Sequence, residues 1–390
     1  MPAPPIEIQA GAAAPPGLAP GEFLARYWQK HPLLVRGAFA GLQAPLSADE
    51  LAGLACEPYA IARLVHHDRA TDAWHLTTGP FAEEVFAQLP PEDWTLLVHD
   101  VDKWDADVAR VLDAFAFLPA WRIDDVMVSF AAAGGTVGPH LDHYDVFLLQ
   151  GTGLRRWLIS TDAQAPHALR PDSELRLLRE FHATHEWVLE PGDMLYLPPG
   201  VPHHGIAVEA GMTFSIGMRA PAVAELVPDL AGFVAERMDE SRRYEDADLS
   251  LPSDPHEIDA AALGRVRAAH GMLASVDAAT LAEWFGRFMT RYRSAGEIVP
   301  PPEPPTPTEV DRQLDQGARL VRHPLARVAW TRTDEGALLF VAGEAYPTAS
   351  ASARAVCSIG CIDAACWAAL DAPTHNLLHH LAREGVFAFE

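Results

Sequence analysis

Two short stretches of this chain place metal-ligating side chains at useful spacings. The first is GPHLDHYD, in which His140 and Asp142 are separated by one residue. In extended chain, side chains at i and i+2 point to the same face, so one segment can present an imidazole and a carboxylate to one ion. The second is PPGVPHHG, which offers His203 and His204 beyond a tight turn. Two histidines and one carboxylate on one face of an octahedron leave open coordination positions. That is the facial triad of non-haem Fe(II) oxygenases, whose open positions accept an oxo-acid chelate and O2.

A His-x-Asp pair alone is weak evidence, and His66-His67-Asp68 is another. His140 follows a Gly-rich turn and precedes a hairpin, whereas His66 is not tied to a comparable β array and is set aside. The third ligand is expected from GDMLYLPPGVPHHGIA. Gly192, five residues, Pro198-Pro199-Gly200, two residues and His203 resemble the second motif of the cupin superfamily, with Ala207 where that motif usually carries Asn. His203 and His204 point to opposite faces of an extended chain, and the motif count selects His203. His375 and His379 sit at i,i+4 on a predicted helix but lack a nearby glutamate or thiolate pair, and read as a surface face. His182 and His185 read as loop residues, and no phosphate-cradling Gly-rich motif appears.

The elements that must position these residues follow from patterning. Residues 1–20, rich in Pro, Ala and Gly, are expected to be poorly ordered. Phe23/Tyr27 and Leu24/Trp28 form i,i+4 pairs on one helix face, stopped at His31-Pro32, and LLVRGAF reads as a strand. Between about 125 and 220, short β runs alternate with Gly/Pro turns, which predicts an antiparallel sandwich or barrel. Beyond Pro221 the pattern turns helical. Asp277 is a plausible N-cap, and Leu281, Trp284, Phe285, Phe288, Met289 and Tyr292 form one apolar stripe, predicted to pack on the β domain or a second subunit. Residues 299–309, VPPPEPPTPTE, read as a Pro-rich linker, and the segment after it, with the β run ALLFVAG, as a small domain.

Composition narrows the function classes. The chain has 390 residues, a net charge of −24 and 49% hydrophobic residues, enough for more than one core. Strong acidity disfavours direct nucleic-acid binding and suits a basic partner. The four cysteines do not form a paired CxxC pattern and read as reduced thiols. No run reaches the ~18 apolar residues of a membrane span, and the N-terminus lacks signal-peptide features. A cytoplasmic location is expected.

HLDHYDVFLLQGTGLRRW, PGDMLYLPPGVPHHG and YWQKHPLLVRGAF together resemble the bacterial JmjC-type ribosomal oxygenases, over roughly residues 20–220. The resemblance implies an α+β chain: a disordered 1–20, a JmjC/cupin double-stranded β-helix over 21–220, a helical dimerisation region over 221–298, the linker, and a winged-helix-like domain over 310–390. It implies Fe(II), 2-oxoglutarate and O2, a homodimer, and hydroxylation of an arginine in a basic large-subunit ribosomal protein of the L16 type. Arg155 and Arg156 alternate faces, so one points inward. Family position makes it Arg155, as clamp for the distal carboxylate of 2-oxoglutarate, with Ser129 as a second contact. Asp125, Tyr144 and Ser215 resemble the family's substrate pocket. Two other readings are an oxygenase with a histidyl or small-molecule substrate, and a non-catalytic cupin binding module.

Overall fold

Short apolar runs broken by Gly and Pro dominate the chain up to Ala220, and they fold as strands. The computed structural model describes residues 4–11, 16–241, 243–247, 249, 256, 258–291, 296 and 298–390. The chain divides between Ala220 and Pro221 into two units. In the first, β1 (Glu7–Gln9), α1 (Pro20–Arg26), β2 (Leu33–Arg36) and α2 (Ala48–Cys56) lead into β3 (Ala62–Asp68) and β4 (Ala73–Thr78). There follow α3 (Glu83–Ala87), β5 (Trp94–Val98), α4 (Val101–Trp104), α5 (Ala106–Ala109) and the long β6 (Ile123–Ala131). The remaining strands are β7 (Val146–Gln150), β8 (Arg155–Ile159), β9 (His185–Leu189), β10 (Met194–Leu197), β11 (His203–Ala207) and β12 (Gly211–Met218).

These strands make a nine-stranded sheet, ordered β1-β2-β10-β7-β12-β6-β5-β3-β4, and a three-stranded sheet, β11-β8-β9. The small sheet closes over the large one as a double-stranded β-helix. Strand parity explains how both faces of the large sheet are used. Phe147 and Leu149 of β7, with Met194 and Tyr196 of β10, pack outward with Phe23, Leu51 and Phe115. Val146, Leu148, Leu195 and Leu197 point the other way, onto Trp157, Ile159 and Leu189 of the small sheet. On β6 and β12 the outward set is again apolar (Val126, Val128, Phe214, Ile216). Their inward parity carries Asp125, Ser129, Thr213 and Ser215. A polar interior on an apolar-backed sheet is the frame for the site.

Within the segment expected to be disordered, 1–20, the residues around Glu7–Gln9 form a strand, while 1–3 and 12–15 lie outside the described residues. Glu7–Gln9 pair in parallel with Leu34–Arg36, and Arg36 ion-pairs Glu7 at 2.7 Å. The run PIEIQ has strand alternation that the Pro/Ala-rich composition obscures. Pro20 already belongs to α1, which ends at Arg26, before His31-Pro32. His66, expected to stand apart from any β array, is part of one. His66 lies on β3 within the large sheet, paired opposite His75 and Trp94.

The second unit carries α6 (Val223–Ala235), α7 (Ala260–Ala274), α8 (Ala278–Thr290) and α9 (Pro307–Asp315). It continues with β13 (Leu320–Arg322), β14 (Val328–Thr333), β15 (Gly336–Val341), β16 (Glu344–Thr348), α10 (Ser350–Ser358), β17 (Cys361–Ile362), α11 (Ala364–Ala368), α12 (Ala372–Arg383) and β18 (Phe387–Phe389). Two three-stranded sheets, β14-β15-β16 and β17-β13-β18, flank its core. Asp277 caps α8 by accepting the Thr280 N–H. Part of the α8 stripe packs within its own unit: Trp284, Phe288 and Met289 meet Leu226, Leu230 and Phe233 of α6, while Leu281 is exposed. On its other side Gly286 lies against the Phe340 ring of β15, where a Cβ would come within 2.2 Å. Tyr292 lies outside the described residues. The linker is shorter than its composition suggests, because Thr306 caps α9 and Pro307 opens it.

Candidate metal centre

The HLDHYD segment is not a regular strand; one antiparallel bridge, His140 to His203, joins it to the start of β11. The His140 N–H donates to the His203 carbonyl at 3.0 Å, and the His203 N–H returns to the His140 carbonyl at 2.8 Å. A third bond runs from the Gly200 N–H to the Asp142 carbonyl at 2.7 Å. Gly200 holds φ +82° there, a left-handed value glycine adopts without strain. The Pro-Pro-Gly turn and the His-x-Asp segment are therefore stitched together by their own backbones. Gly138, two residues ahead of His140, has φ +77°, and a Cβ on it would sit 2.6 Å from Leu177 and 2.9 Å from Trp74.

Each imidazole is oriented by a backbone carbonyl. His140 Nδ1 lies 2.9 Å from the Gly138 carbonyl and His203 Nδ1 2.9 Å from that of Val201. A carbonyl only accepts, so Nδ1 carries the proton and Nε2 keeps its lone pair for a metal. The two rings are 4.2 Å apart between centroids, and His203 Nε2 is 3.7 Å from Asp142 Oδ2. Ligand atoms of His140, Asp142 and His203 all fall within 4.8 Å of one another. Burial, then the neighbouring His140, lowers the pKa of the His203 imidazole, favouring the neutral form that ligates. This donor set fits a divalent iron.

The same geometry disposes of the alternatives. His204 turns away to Thr136, with Nε2 3.0 Å from its hydroxyl. Asp68 accepts the Ala70 N–H and the Thr71 hydroxyl, and His67 pairs with Asp72, so that His-x-Asp closes a hairpin turn. His375 contacts the Trp367 carbonyl and His379 lies 3.3 Å from Asp311. His182 is exposed near Glu180, and His185, the first residue of β9, meets Thr184.

Register sets the interior row. Across β6 and β12, Ser129 faces Thr213, Met127 faces Ser215 and Asp125 faces Gly217. At the Ser129 end lies Arg155, 4% exposed. It reaches Thr213 Oγ1 at 3.3 Å and Ser129 Oγ at 3.5 Å, and lies 5.0 Å from the Trp157 ring centre. Its Nε has no partner, and among the described residues no carboxylate forms an ion pair with it. Burial alone lowers the guanidinium pKa to about 10. A buried cation without a counter-charge is costly unless an anion completes it. Arg156 faces outward, 3.7 Å from Glu186.

At the other end, the Asp125 carboxylate has a side-chain exposure of 16%, while Asp124 is exposed. Burial opposes ionisation of Asp125, but His99 and the Asp100 N–H outweigh it and hold the carboxyl below its ordinary value. Tyr144 stands at the edge, 40% exposed. The buried part of its side chain, with the Asp142 and Asp125 carboxylates, holds its phenol well above the ordinary value. Ser215 is buried on β12.

Several residues of this neighbourhood escaped the sequence reading. Thr213 and Gln150, linked at 3.0 Å, stand beside Arg155; strand parity counted from Ser215 would have found Thr213. Asp145 has no comparable local signal. Fully buried, it accepts from Tyr196 Oη at 2.6 Å, Gln29 Nε2 at 2.8 Å and Arg122 at 3.3 Å, joining groups far apart in sequence. This anchors the end of the HLDHYD segment. Asp145→Ala leaves three donors facing a void and is expected to lower stability by about 3 kcal/mol in urea denaturation. A loss below about 0.5 kcal/mol, the scale of ordinary surface changes, would contradict the anchoring role.

With this geometry in place, comparison with known proteins is direct. Residues 110–226 match the JmjC domain family and residues 270–388 the ROXA-like winged helix. The second match begins well before residue 310, in keeping with the packing of α8 on β15. Ribosomal protein uL16 3-hydroxylase of Escherichia coli is 40% identical over 303 residues, covering 77% of this chain and 79% of that protein. A probable ribosomal oxygenase of Haemophilus influenzae is 34% identical over 239 residues, 61% of this chain and 56% of that one. The crystal structure of Escherichia coli YcfD superposes with a TM-score of 0.84 at 35% identity, covering 96% of this chain and 98% of that one. A YcfD structure in complex with cobalt and 2-oxoglutarate gives 0.81 at 35% identity, covering 96% and 99%. The chain belongs to the JmjC-type ribosomal oxygenases.

Proposed function

We propose that this chain hydroxylates an arginine side chain of the large-subunit ribosomal protein uL16, as an Fe(II)- and 2-oxoglutarate-dependent oxygenase. The observation that carries the reading is a buried guanidinium, Arg155, without an acid partner among the described residues, inside the same small barrel as a two-histidine, one-carboxylate cluster. The name of the Escherichia coli relative supports the substrate, and the cobalt and 2-oxoglutarate complex of YcfD supports the metal and co-substrate.

His140, Asp142 and His203 would hold the iron, and Arg155, Ser129 and Thr213 would receive the distal carboxylate of 2-oxoglutarate. When bound, the iron couples oxidative decarboxylation of 2-oxoglutarate by O2, giving succinate and CO2, to insertion of the second oxygen atom into a C–H bond. The residues of the chain orient and select. The carbonyls of Gly138 and Val201 fix the imidazole tautomers. Burial beside the Trp157 ring excludes water around Arg155, which strengthens its hold on a carboxylate. Asp125, Tyr144 and Ser215 would meet the target guanidinium, with Tyr144 kept protonated as a donor or acceptor.

A net charge of −24 suits a basic ribosomal protein and gives no support to direct nucleic-acid binding. No helix among the described residues is long and apolar enough to cross a membrane, in keeping with a cytoplasmic enzyme. The exposed apolar side chains Val223 and Val227 of α6, with Leu263 and Val266 of α7, suit a homodimer face.

Mass spectrometry of uL16 from a deletion strain and its parent tests the proposal. The parental protein is expected to carry one extra oxygen atom on an arginine, lost in the deletion and restored by the wild-type gene. An arginine unmodified in both strains would exclude the assignment. A modified histidine that depends on the gene would redirect it to a histidyl substrate.

A further inference from the structure

Asp124 and Asp125 are adjacent, yet only Asp125 enters the barrel. The pairing of β12 with β6 shifts between Gly217 and Met218, where Gly217 faces Asp125 but Met218 faces Ile123. Asp124 is thus the extra residue of a β-bulge, and a bulge re-aims the side chains beside it. Asp125 is delivered over Gly217. If a Cβ were present on Gly217 it would lie 3.2 Å from Asp125 Oδ1, and no other side chain would come near it.

The other oxygen is already occupied. Asp125 Oδ2 accepts the Asp100 N–H at 3.1 Å and lies 3.4 Å from His99 Nδ1. His99 and Asp100 form the turn from β5 into α4, with Asp100 at φ 58°. That turn is tied to β6 a second time, because Asp102 Oδ1 accepts the Val126 N–H at 2.8 Å. The other nearby cation, Lys103, pairs with Asp102 and reaches the Asp124 carbonyl at 3.4 Å.

We propose that His99 is a positioning residue for target recognition: with the Asp100 N–H it holds Asp125 Oδ2, leaving Oδ1, above the bare backbone of Gly217, as the oxygen that receives the target guanidinium. The inference rests on Asp125 contacting the substrate arginine. A carboxylate with both oxygens free rotates and accepts a guanidinium in several poses. One pinned through Oδ2 offers a single acceptor in a single direction, so less freedom is lost on binding. Gly217 keeps that direction open.

Steady-state kinetics with the full-length enzyme, Fe(II), 2-oxoglutarate and recombinant uL16 tests this. His99→Ala is expected to raise KM for uL16 about tenfold while kcat stays within about twofold, the signature of lost uniform binding. His99→Asn, whose amide can donate to the same oxygen, restores most of the affinity, which a merely structural role for the imidazole would not produce. Gly217→Ala raises KM as well. Wild-type KM in His99→Ala, with a raised KM in Asp125→Ala, overturns the role of His99 and leaves the pocket standing. Wild-type KM in Asp125→Ala overturns both. Wild-type KM in Gly217→Ala overturns the assignment of Oδ1, and it decides alone if thermal melting shows His99→Ala unfolded.

Discussion

Asp142→Ala is expected to abolish turnover and to weaken Fe(II) binding by more than about a hundredfold. Changes in the groups that merely orient a metal's ligands cost about 10–100-fold in affinity, so removal of a direct ligand should exceed that. The fold should survive. The contact that stitches this segment to the Pro-Pro-Gly turn is made by the Asp142 backbone carbonyl, which accepts from the Gly200 N–H, and alanine keeps it. The side chain is itself 23% exposed, so its loss opens no closed cavity. Calorimetric titration with Co(II) or Fe(II), alongside the melting temperature, separates the two effects. Undiminished metal affinity in a folded variant would show that the carboxylate is not a ligand.

Arg155→Met should behave in a more unusual way, because co-substrate binding and stability are expected to move in opposite directions. The guanidinium is buried and lacks an ion-pair partner among the described residues, and burial has already lowered its pKa to about 10. In the unliganded protein it is an uncompensated charge, and an apolar side chain of similar length is neutral or stabilising at such a position. With 2-oxoglutarate present it becomes one half of a buried charge pair, whose truncation costs about 2–5 kcal/mol, or at least roughly thirtyfold in affinity. The unliganded variant should therefore melt at or above the wild-type temperature. Added 2-oxoglutarate with Co(II) should raise the wild-type melting temperature by linkage and leave that of the variant near its value with Co(II) alone. A variant that 2-oxoglutarate stabilises as much as wild type would remove Arg155 from the co-substrate site.

The pieces of the candidate metal centre are legible because their spacing is local. His140 and Asp142 lie two apart, and the Pro-Pro-Gly turn stands three residues ahead of His203. A motif count separates His203 from His204, and the structure gives the reason: the His140–His203 bridge turns His203 to the ligand cluster and His204 to Thr136. The rejection of His66 and Asp68 rested on a mistaken premise, since β3 is part of the large sheet. What excludes them is the hairpin turn that uses up the Asp68 carboxylate. That detail depends on hydrogen bonds, which a pattern of residue types does not encode.

Composition misled at the N-terminal end of the chain, and helical periodicity left a partner open further on. Pro and Ala in the first twenty residues hid a strand of three residues, Glu7–Gln9, whose pairing partner lies elsewhere in sequence. The apolar stripe of α8 could not be assigned a partner because a helix face reveals that it must be covered but not by what; α6 and β15 of its own unit cover part of it. The sequence by itself determined the β-rich first unit, the helical turn of pattern after Pro221, and the cluster His140, Asp142 and His203 that could hold a metal ion. All of these follow from periods of two or 3.6 residues, or from spacings of a few residues. Only the tertiary structure decided the rest: that Asp125 rather than Asp124 enters the barrel, that Arg155 is left without an acid partner among the described residues, and that Asp145 ties the HLDHYD segment to Gln29, Arg122 and Tyr196. Each depends on register, a bulge, or the meeting of residues distant in sequence, and those are set by how strands pair and pack.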